Sequence, residues 1–333
     1  MEKGIIEKLR DSQLRGRGGA GFETWIKWKI VKESLAKQKY IICNGADGEV
    51  ESSKDGFILD NYLEDVVNGI LIAISEVGAQ KAYIFLRKDY FDKYKERLLV
   101  LTANQPIILF EKPEVGYIGG EETTICEIIE GREAKPRLKP PYLAENGLFG
   151  CPTLINNVET FYCVSKIVQG DYKGERFYYV SGKVKNRGIF VLPDSARIRD
   201  VLQETGNYPD FDYFVQVGGY FGEIFLPDEI DSRFSAISSI TVFDKNETDI
   251  YCLIEKITEF FHKGNCDKCT PCREGSFLIC EMAKNKSFDY EKVEQIIFSL
   301  ENSSFCAFGR NMAISLKSIF KKLITNGKNQ VKN

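Results

Sequence analysis

The stretch Cys266-Asp-Lys-Cys269-Thr-Pro-Cys272 and the later Cys306 supply four thiols that can bind one inorganic cluster. Three thiolates at positions i, i+3 and i+6 can wrap a cluster, and a fourth from elsewhere closes the site, which is the ligand pattern of a [4Fe–4S] centre. A structural zinc site with the same ligands is the alternative. Because an iron–sulfur cluster moves electrons singly, another group in the protein must supply or accept them.

The overall composition is that of an ordinary globular protein. With 333 residues, 43% of them hydrophobic and 28% charged, the chain is long enough for several domains. The formal net charge of -3 is too small to steer a ligand strongly, so nucleic acid is not an implied partner. Apolar runs are too short to cross a bilayer, and no signal peptide is recognisable, so we expect a cytoplasmic protein without direct membrane insertion.

Cysteine and histidine usage narrows the chemistry. Ten cysteines in a cytoplasmic chain argue against a disulfide framework, because thiols stay reduced there. Cys43, Cys163, Cys252 and Cys280 have apolar neighbours and are predicted to be buried packing residues. The single histidine, His262, is predicted to be an exposed residue at a helix end. Many enzymes need histidine or another tuned acid or base, whereas hydride transfer between a nicotinamide and a flavin needs none.

The hydrophobic pattern changes twice along the chain. The first part alternates strand-like and helical segments, which predicts an α/β layer with a mostly parallel sheet. Short β-like runs between Gly, Pro and Asp turns follow over about residues 177–243 and predict a small α+β domain. From Thr248 the pattern is helical and predicts a bundle around the cysteines. The elements predicted in the first part are strands at 40–43, 82–86 and 107–110 and helices at 61–77 and 90–100.

A glycine-rich run, Gly16-Arg17-Gly18-Gly19-Ala20-Gly21, precedes the first predicted strand. Its spacing matches the dinucleotide-binding fingerprint, but the preceding residues are predicted to be helical, and no acidic residue lies about twenty positions further on. What remains is a loop of backbone amides beside Arg17, suited to phosphate or to the close approach of a flat ring. A purely structural turn is the alternative.

A second glycine-rich segment, Gly116-Tyr-Ile-Gly-Gly-Glu-Glu-Thr123, leads into an apolar helix. Its helix start offers free N–H groups, yet the adjacent Glu121 and Glu122 would repel a phosphate. These carboxylates suit hydrogen bonds to ribityl hydroxyls, to ribose or to a carboxamide. The alternative is that they complement the helix dipole.

Two further segments offer binding groups. Lys139 and Tyr142 flank a pair of prolines, where they could hold a nucleotide phosphate and stack its base. Asn156 and Asn157 provide amide donors and acceptors at a predicted helix start. Taken singly, each of these is also explained by ordinary loop chemistry.

In chain order, these motifs resemble those of one family. They read Gly-Arg-Gly-Gly-Ala-Gly-Phe, Cys-Asn, Gly-Glu-Glu-Thr, Pro-Arg-x-Lys-Pro-Pro, Pro-Thr-x-Ile-Asn-Asn-Val-Glu-Thr and Cys-x-x-Cys-Thr-Pro-Cys-Arg-Glu-Gly. From about Leu14 to Leu323 the chain resembles the NADH-binding flavoprotein subunit of respiratory complex I and its relatives in NAD-linked hydrogenases and formate dehydrogenases. The resemblance implies an α/β Rossmann-like FMN- and NADH-binding domain at 1–174, a ubiquitin-like β-grasp domain of the soluble-ligand-binding type at 175–245, a helical [4Fe–4S] domain at 246–326 and a flexible tail at 327–333.

The same resemblance implies FMN and one [4Fe–4S] cluster as cofactors and NAD(H) as substrate. The implied cluster ligands are Cys266, Cys269, Cys272 and Cys306. The implied NADH contacts are Phe22, Glu49, Glu122, Lys139 and Tyr142. The implied FMN contacts are Gly16, Arg17, Gly18, Gly19, Lys27, Asn44, Asp47, Tyr117, Gly120, Glu121, Glu122, Asn156 and Asn157.

Several positions depart from the family pattern. The glycine loop continues with Phe-Glu-Thr-Trp at residues 22–25 instead of Phe-Pro-Thr-Gly, and Ile30 replaces an aromatic residue on the adenine side. Ala46 stands where an aspartate often contacts FMN, and Asp47 is expected to substitute for it. These changes bear on dinucleotide affinity and on the choice between NAD and NADP more than on flavin binding.

The implied function is that of an FMN-dependent NAD(P)H dehydrogenase subunit, or diaphorase, which takes a hydride from NADH and passes single electrons through the cluster. The implied partners are a thioredoxin-like [2Fe–2S] subunit and a larger iron–sulfur subunit of hydrogenase, formate dehydrogenase or complex I type. Through them the chain would lie at the periphery of the inner membrane. The alternative function is a non-catalytic FMN and iron–sulfur relay or scaffold without productive dinucleotide binding.

Overall fold

The computed structural model describes residues 3–48, 54–234 and 237–325, and these residues divide into two units. The N-terminal unit contains the described residues up to 115, residues 119–176 and Ile237. The C-terminal unit contains residues 116–118, 177–234 and 238–325.

A parallel sheet lies at the centre of the N-terminal unit. Its strands are β1 (Tyr40–Gly45), β2 (Lys81–Leu86), β3 (Ile107–Glu111) and β4 (Thr153–Asn157). The helices are α1 (Ile5–Asp11), α2 (Thr24–Glu33), α3 (Lys54–Val77), α4 (Lys88–Leu101), α5 (Glu122–Ile129) and α6 (Val158–Gln169). The strand order is β3-β2-β1-β4, and every neighbouring pair is parallel. The prediction of an α/β layer with a parallel sheet is therefore confirmed.

The strands β1, β2 and β3 could be predicted from the sequence because of how strands in a parallel sheet are buried. Strands of a parallel sheet are covered on both faces and read as continuous apolar runs. Tyr40–Gly45 and Lys81–Leu86 follow this rule and are almost fully buried, whereas the edge strand β3 is only half-buried. The strand β4 was not predicted, because its sequence ends in two asparagines. The predicted helix at 61–77 is also longer than expected, since α3 begins at Lys54.

The C-terminal unit begins with a mixed sheet. Its strands are β5 (Glu175–Gly182), β6 (Gly188–Pro193), β7 (Tyr213–Val217), β8 (Glu223–Phe225) and β9 (Ser239–Asp244), accompanied by α7 (Ile198–Glu204). The strand order is β6-β5-β9-β7-β8, with β5 parallel to β9 and β7 antiparallel to both of its neighbours. Tyr178, Val215 and Ile240 from the sheet pack with Ile198 and Leu202 of α7 in one core.

Four helices follow the mixed sheet, as the pattern after Thr248 predicted. They are α8 (Ile250–Gly264), α9 (Thr270–Lys284), α10 (Tyr290–Ser303) and α11 (Ala307–Ile319). Side-chain caps define two of their starts: Asp249 accepts from the backbone of α8, and Asp289 accepts from the backbone of α10. Within the described ranges, every helix is too short or too polar to cross a membrane.

One glycine fixes how closely two helices of the N-terminal unit approach. A Cβ atom added at Gly69 in α3 would lie 2.0 Å from the carbonyl oxygen of Phe161 in α6. We expect Gly69→Ala to push the helices apart and to destabilise the protein by about 1–3 kcal/mol, the usual cost of overpacking. Thermal unfolding of the full chain measures this, with Ser75→Ala on the exposed face of α3 as the control. A Gly69→Ala melting temperature equal to that of the control would contradict the packing.

Candidate functional site

The parallel sheet brings two of the predicted binding segments together. In the register of β1 with β4, Asn44 lies opposite Asn157, so the carboxyl ends of both strands meet at one edge. Ligands of open parallel sheets bind beyond this edge. The glycine loop reaches the same place, because a Cβ atom at Gly18 would lie 3.2 Å from the Cβ of Asn157.

The glycine loop is closed by the backbone. Arg15 and Glu23 form an antiparallel bridge, and the Gly16 N–H donates to the carbonyl oxygen of Phe22 at 2.8 Å. Gly19 and Gly21 have φ values of +101° and +61°, which side-chain-bearing residues rarely adopt. The loop joins α1 to α2, so it does not follow a strand. This confirms that the run is not a Rossmann fingerprint in its usual setting.

The second glycine segment packs against the end of β1. The Asn44 amide donates to the carbonyl oxygen of Gly120 at 3.0 Å and accepts from the backbone N–H of Ala46 at 3.1 Å. A Cβ atom at Gly120 would lie 3.1 Å from the Cβ of Ala46. Ala46 is buried in this contact and offers no polar group to a ligand.

The adjacent glutamates have different surroundings. Glu121 caps α5, because its carboxylate accepts from the backbone N–H groups of Thr123 and Thr124, both at 2.9 Å. Lys139 also donates to Glu121, at 3.2 Å. The alternative interpretation, that the carboxylate complements the start of the helix, therefore applies to Glu121. Glu122 stands one position further on, with 34% of its side chain exposed.

Glu122 pairs with a lysine that is held from two sides. The Lys27 ammonium donates to the Glu122 carboxylate at 3.3 Å and to the carbonyl oxygen of Ile155 at 3.0 Å. Burial alone would raise the pKa of the Glu122 carboxyl, but the charges of Lys27 and Lys139 outweigh it and hold this pKa below its usual range. At neutral pH the site therefore presents an accessible carboxylate next to a fixed ammonium.

The two asparagines at the end of β4 point to opposite sides, as consecutive strand residues must. The Asn156 amide oxygen, in the orientation that satisfies its neighbours, accepts from the indole N–H of Trp28 at 2.9 Å. Asn157 caps α6 by accepting from the Glu159 N–H at 3.0 Å, and its amide donates to Asp55 at 2.7 Å. Both side chains thus make contacts within the protein.

Sequence reasoning missed a set of buried charges behind this edge. Lys54 donates to Asp55 at 2.8 Å and to Glu159 at 2.9 Å, and the Arg17 guanidinium lies 3.8 Å from Glu159. Arg17 also donates to the Tyr172 hydroxyl at 3.3 Å, so the structure directs this predicted FMN contact into the protein. Charged residue types normally indicate positions that are exposed to solvent. The only available signal was that Glu159 belongs to the family motif.

The replacement for the missing aspartate is turned towards α3. Asp47 has a φ of +24° and accepts from the Asp55 N–H at 3.2 Å and from the Tyr90 hydroxyl at 3.0 Å. Burial first, and then Asp47, raise the pKa of the Tyr90 hydroxyl, so this hydroxyl stays protonated and can donate. Glu49, predicted to contact NADH, lies outside the described residues.

The predicted nucleotide contacts are surface residues. Phe22 is 49% exposed and Tyr142 is 59% exposed, which leaves both rings available to stack on a base. Ile30, which replaces an aromatic residue, is also exposed. Tyr117 is placed differently, because it belongs to the C-terminal unit. Its ring packs on Phe221 and Phe308, with centroids 4.5 and 5.5 Å apart.

Three of the four predicted cluster ligands lie at helix starts in the C-terminal unit, and Cys266 lies in the loop between α8 and α9. Cys269 and Cys306 are the N-cap residues of α9 and α11, and Cys272 lies in the first turn of α9. Helix N-termini favour negative charge and therefore thiolates. A Cβ atom at Gly309 in α11 would lie 3.3 Å from the Cβ of Cys272, so the two helix starts are close.

The donor set fits a cluster. Burial first, and then the neighbouring Cys269, Cys306 and Cys266, raise the pKa of the Cys272 thiol, which places all four thiols around one region. A cluster binds each thiolate to a different iron, whereas one zinc ion needs all of its ligands at its own coordination distance.

The remaining cysteines and the histidine were mostly predicted correctly. Cys43, Cys163 and Cys280 are buried, and burial raises the pKa of the Cys163 thiol to about 12. Cys252 is exposed, so the prediction that it is a buried packing residue was wrong. It lies near the start of α8, on the face turned to solvent. His262 is exposed near the end of the same helix, as predicted.

Comparison with known proteins agrees with this geometry. A family profile described as the Nuo51 FMN-binding domain matches residues 9–166, and one described as the NADH-ubiquinone oxidoreductase-F iron-sulfur binding region matches residues 253–325. The fold and the two sites thus define a protein that binds FMN and a [4Fe–4S] cluster. The chain belongs to the family of NADH-quinone oxidoreductase F subunits.

Named relatives support this assignment. The chain is 30% identical to the second F-type subunit of the NADH-quinone oxidoreductase of Rhizobium meliloti, over 95% of this chain and 86% of the relative. It is 31% identical to the corresponding F-type subunit of Aquifex aeolicus, over 92% and 80%. It is also 31% identical to the HoxS alpha subunit of the NAD-reducing hydrogenase of Cupriavidus necator, over 82% of this chain and 50% of that subunit.

Among solved structures, the chain is similar to an NAD+-reducing [NiFe]-hydrogenase in the H2-reduced state. The TM-score is 0.88 at 29% sequence identity, over 98% of this chain. The match spans 62% of the hydrogenase chain, so the hydrogenase chain contains segments that this chain does not match.

Removal of one cluster ligand tests the metal centre. Because Cys272 is buried between the other thiols, we expect Cys272→Ser to abolish at least nine-tenths of the bound iron and acid-labile sulfide, on the order expected when a ligand is lost. Anaerobic metal and sulfide analysis measures this. Cys252→Ser, which removes an exposed thiol in α8, is the control and should retain both. Stoichiometric zinc without sulfide in the unmodified chain would contradict the cluster.

Proposed function

We propose that the chain is an NADH dehydrogenase subunit of the diaphorase type. FMN, when bound, supplies the chemistry, since it accepts a hydride from NADH and releases single electrons to a [4Fe–4S] cluster. The observation that carries this proposal is the convergence of the glycine loop, the Asn44–Gly120 contact and the Lys27–Glu122 pair at the carboxyl edge of the parallel sheet. Three thiols at helix starts and the thiol of Cys266 in the preceding loop provide the site for the cluster.

The predicted FMN contacts fall into two groups. Some can offer a backbone amide or a charge to the ligand, and the side chains of the others bind other parts of the protein. Backbone amides of Gly18, Gly19 and Gly120 line the edge and suit a phosphate and a flat ring, whereas the Gly16 N–H closes the loop by donating to Phe22. Lys27 contributes a positive charge that the carbonyl oxygen of Ile155 holds in place. The side chains of Arg17, Asn44, Asp47, Glu121, Asn156 and Asn157 make protein contacts, so we assign them to shaping this edge.

Glu122 is our candidate for recognition of NADH. Its partly exposed carboxylate can accept hydrogen bonds from ribose hydroxyls or from the nicotinamide carboxamide, while Lys27 keeps the carboxylate ionised. Phe22 and Tyr142 are proposed to pack on the base, and Lys139 precedes Tyr142 in the sequence, separated from it by the two prolines. With Ile30 in place of an aromatic residue, one stacking face is lost, which is worth about 1 kcal/mol.

We further propose that the mixed sheet is a β-grasp domain. Counted within the domain, its strand order is 2-1-5-3-4 with a parallel central pair, and one helix packs on it, which is the arrangement of ubiquitin-like folds. The boundaries 1–174, 175–245, 246–326 and 327–333 are retained as a proposal. The change from strands to helices after Asp244 supports the second of the domain boundaries.

Partner subunits are part of the proposal. The relatives are named as subunits of NADH-quinone oxidoreductase and of an NAD-reducing hydrogenase, so we expect this chain to pass electrons to another iron–sulfur subunit. A small thioredoxin-like [2Fe–2S] protein is the first candidate. We place the chain in the cytoplasm, at the membrane periphery if its partners are, because none of its ten cysteines is in a disulfide and four of them are assigned to the cluster.

The alternative is a relay that keeps both cofactors but does not use NADH. It is kept because Glu23, Trp25, Ile30 and Ala46 depart from the family pattern. Purified chain with bound FMN whose absorbance is unchanged by NADH and by NADPH under anaerobic conditions would support the relay and exclude the dehydrogenase. Bleaching by only one of the two nucleotides would establish the preference between them.

Glu122→Gln tests the dinucleotide site. The substitution keeps the size of the side chain and removes its charge, so we expect the KM for NADH to rise about tenfold or more, as for the loss of a hydrogen bond to a charged group. Anaerobic NADH-dependent reduction of ferricyanide or a viologen measures it. Glu64→Gln, which removes a carboxylate paired with Arg97 on the surface, is the control. Equal KM values for both variants would remove Glu122 from the site.

A further inference from the structure

Four charged side chains are buried together in the N-terminal unit. Arg17, Lys54, Asp55 and Glu159 each expose between 1% and 10% of their side chains. Buried charges are costly unless they are paired and hydrogen-bonded. Here two cations face two carboxylates, so the group is neutral as a whole. We call these four residues the buried charge network.

The pairing keeps the lysine ionised. Burial alone would lower the pKa of the Lys54 ammonium, but the carboxylates of Asp55, Glu159 and Asp47 outweigh it and raise this pKa above its usual range. The contacts are short: Lys54 lies 2.8 Å from Asp55 and 2.9 Å from Glu159. The removal of any one member would leave an uncompensated charge in the interior.

The network binds both polar side-chain atoms of Asn157, which is one of the predicted flavin contacts. The amide oxygen of Asn157 accepts from Lys54 at 3.2 Å and from the Glu159 N–H at 3.0 Å. The amide nitrogen donates to Asp55 at 2.7 Å and to the carbonyl oxygen of Asn44 at 3.4 Å. A carboxamide has two acceptor sites and two donors. All of them are used inside the protein.

From Asn157 and Arg17 the contacts continue to the glycine segments. The backbone N–H of Arg17 donates to the Thr160 hydroxyl at 3.0 Å, which ties the glycine loop to α6. Gly18 lies so close to Asn157 that a Cβ atom at Gly18 would be 3.2 Å from the Cβ of Asn157. The Asn44 amide donates to the carbonyl oxygen of Gly120. The network therefore connects the glycine loop, the ends of β1 and β4 and the Gly119–Gly120 segment.

We propose that Arg17, Lys54, Asp55 and Glu159 are positioning residues that hold the flavin-binding edge in shape, and that the Arg17 guanidinium does not bind the FMN phosphate. The inference rests on the proposed flavin site and adds how that site is built. It separates two roles that a motif alone cannot distinguish. A phosphate ligand matters only for FMN, whereas a positioning residue also matters for a flavin without a phosphate.

The test compares FMN with riboflavin. The full chain is freed of flavin, and the dissociation constants of both ligands are measured by fluorescence quenching. The double variant Arg17→Met/Glu159→Gln removes one cation and one anion, which preserves neutrality in the interior. We expect both dissociation constants to rise tenfold or more, so that the loss of affinity extends to riboflavin, which has no phosphate.

Controls keep the result interpretable. Arg97→Met/Glu64→Gln removes an exposed ion pair and should leave both constants unchanged. Melting curves followed by circular dichroism show whether each variant is folded. If the double variant is unfolded, Lys54→Arg serves instead, because it keeps the charge but alters the contacts to Asn157, and weaker binding of both flavins is again expected.

Two outcomes overturn the inference alone. They are a loss confined to FMN, which would make Arg17 a phosphate ligand, and unchanged constants for both flavins in a folded variant. An unmodified chain that binds neither flavin would overturn the proposed function, and the inference with it. The two failures are therefore distinguishable.

Discussion

The parallel pairing of β1 with β4 is the constraint on which the N-terminal unit depends. It sets Asn44 opposite Asn157, although more than a hundred residues separate them in the chain. The glycine loop, the Gly119–Gly120 segment and the start of α6 all pack against this pair. Because the backbone at this edge must remain open to a ligand, its shape is fixed from behind, by charges buried beneath Asn157. The cofactor edge and the buried charges are therefore parts of one arrangement.

Much of the fold could be predicted from the sequence, because its signals are local. Continuous apolar runs marked β1, β2 and β3, and the spacing of the cysteines marked the cluster site before any helix was placed. The strand β4 could not be predicted, since its polar end resembles a loop or a helix start. The orientation of the two asparagines could not be predicted either. Their motif indicated a function, but only the geometry of the strand shows that Asn156 and Asn157 face opposite sides of the sheet.

The buried charges could not be predicted for a different reason. Lys54, Asp55 and Glu159 are of residue types that ordinarily lie on the surface. Hydrophobic periodicity gives no information about ion pairs. Apart from the adjacent Lys54 and Asp55, the members of the network are distant from one another in sequence, so no short motif describes them. Arg17 illustrates the consequence. Its position in a glycine-rich loop suggested a phosphate ligand, while the fold directs its guanidinium towards Glu159. A family motif thus identifies which residues matter without establishing what each side chain contacts.

The central claim is that one chain suffices to divide the electron pair of NADH into single electrons. The most direct measurement is an anaerobic titration of the purified holoprotein with NADH, without partner subunits, in which flavin absorbance and the paramagnetic signal of the reduced cluster are followed together. The account predicts that the flavin bleaches and that the cluster signal appears in the same titration. Bleached flavin with a cluster that stays oxidised although dithionite can reduce it, or no bleaching at all, would contradict the account.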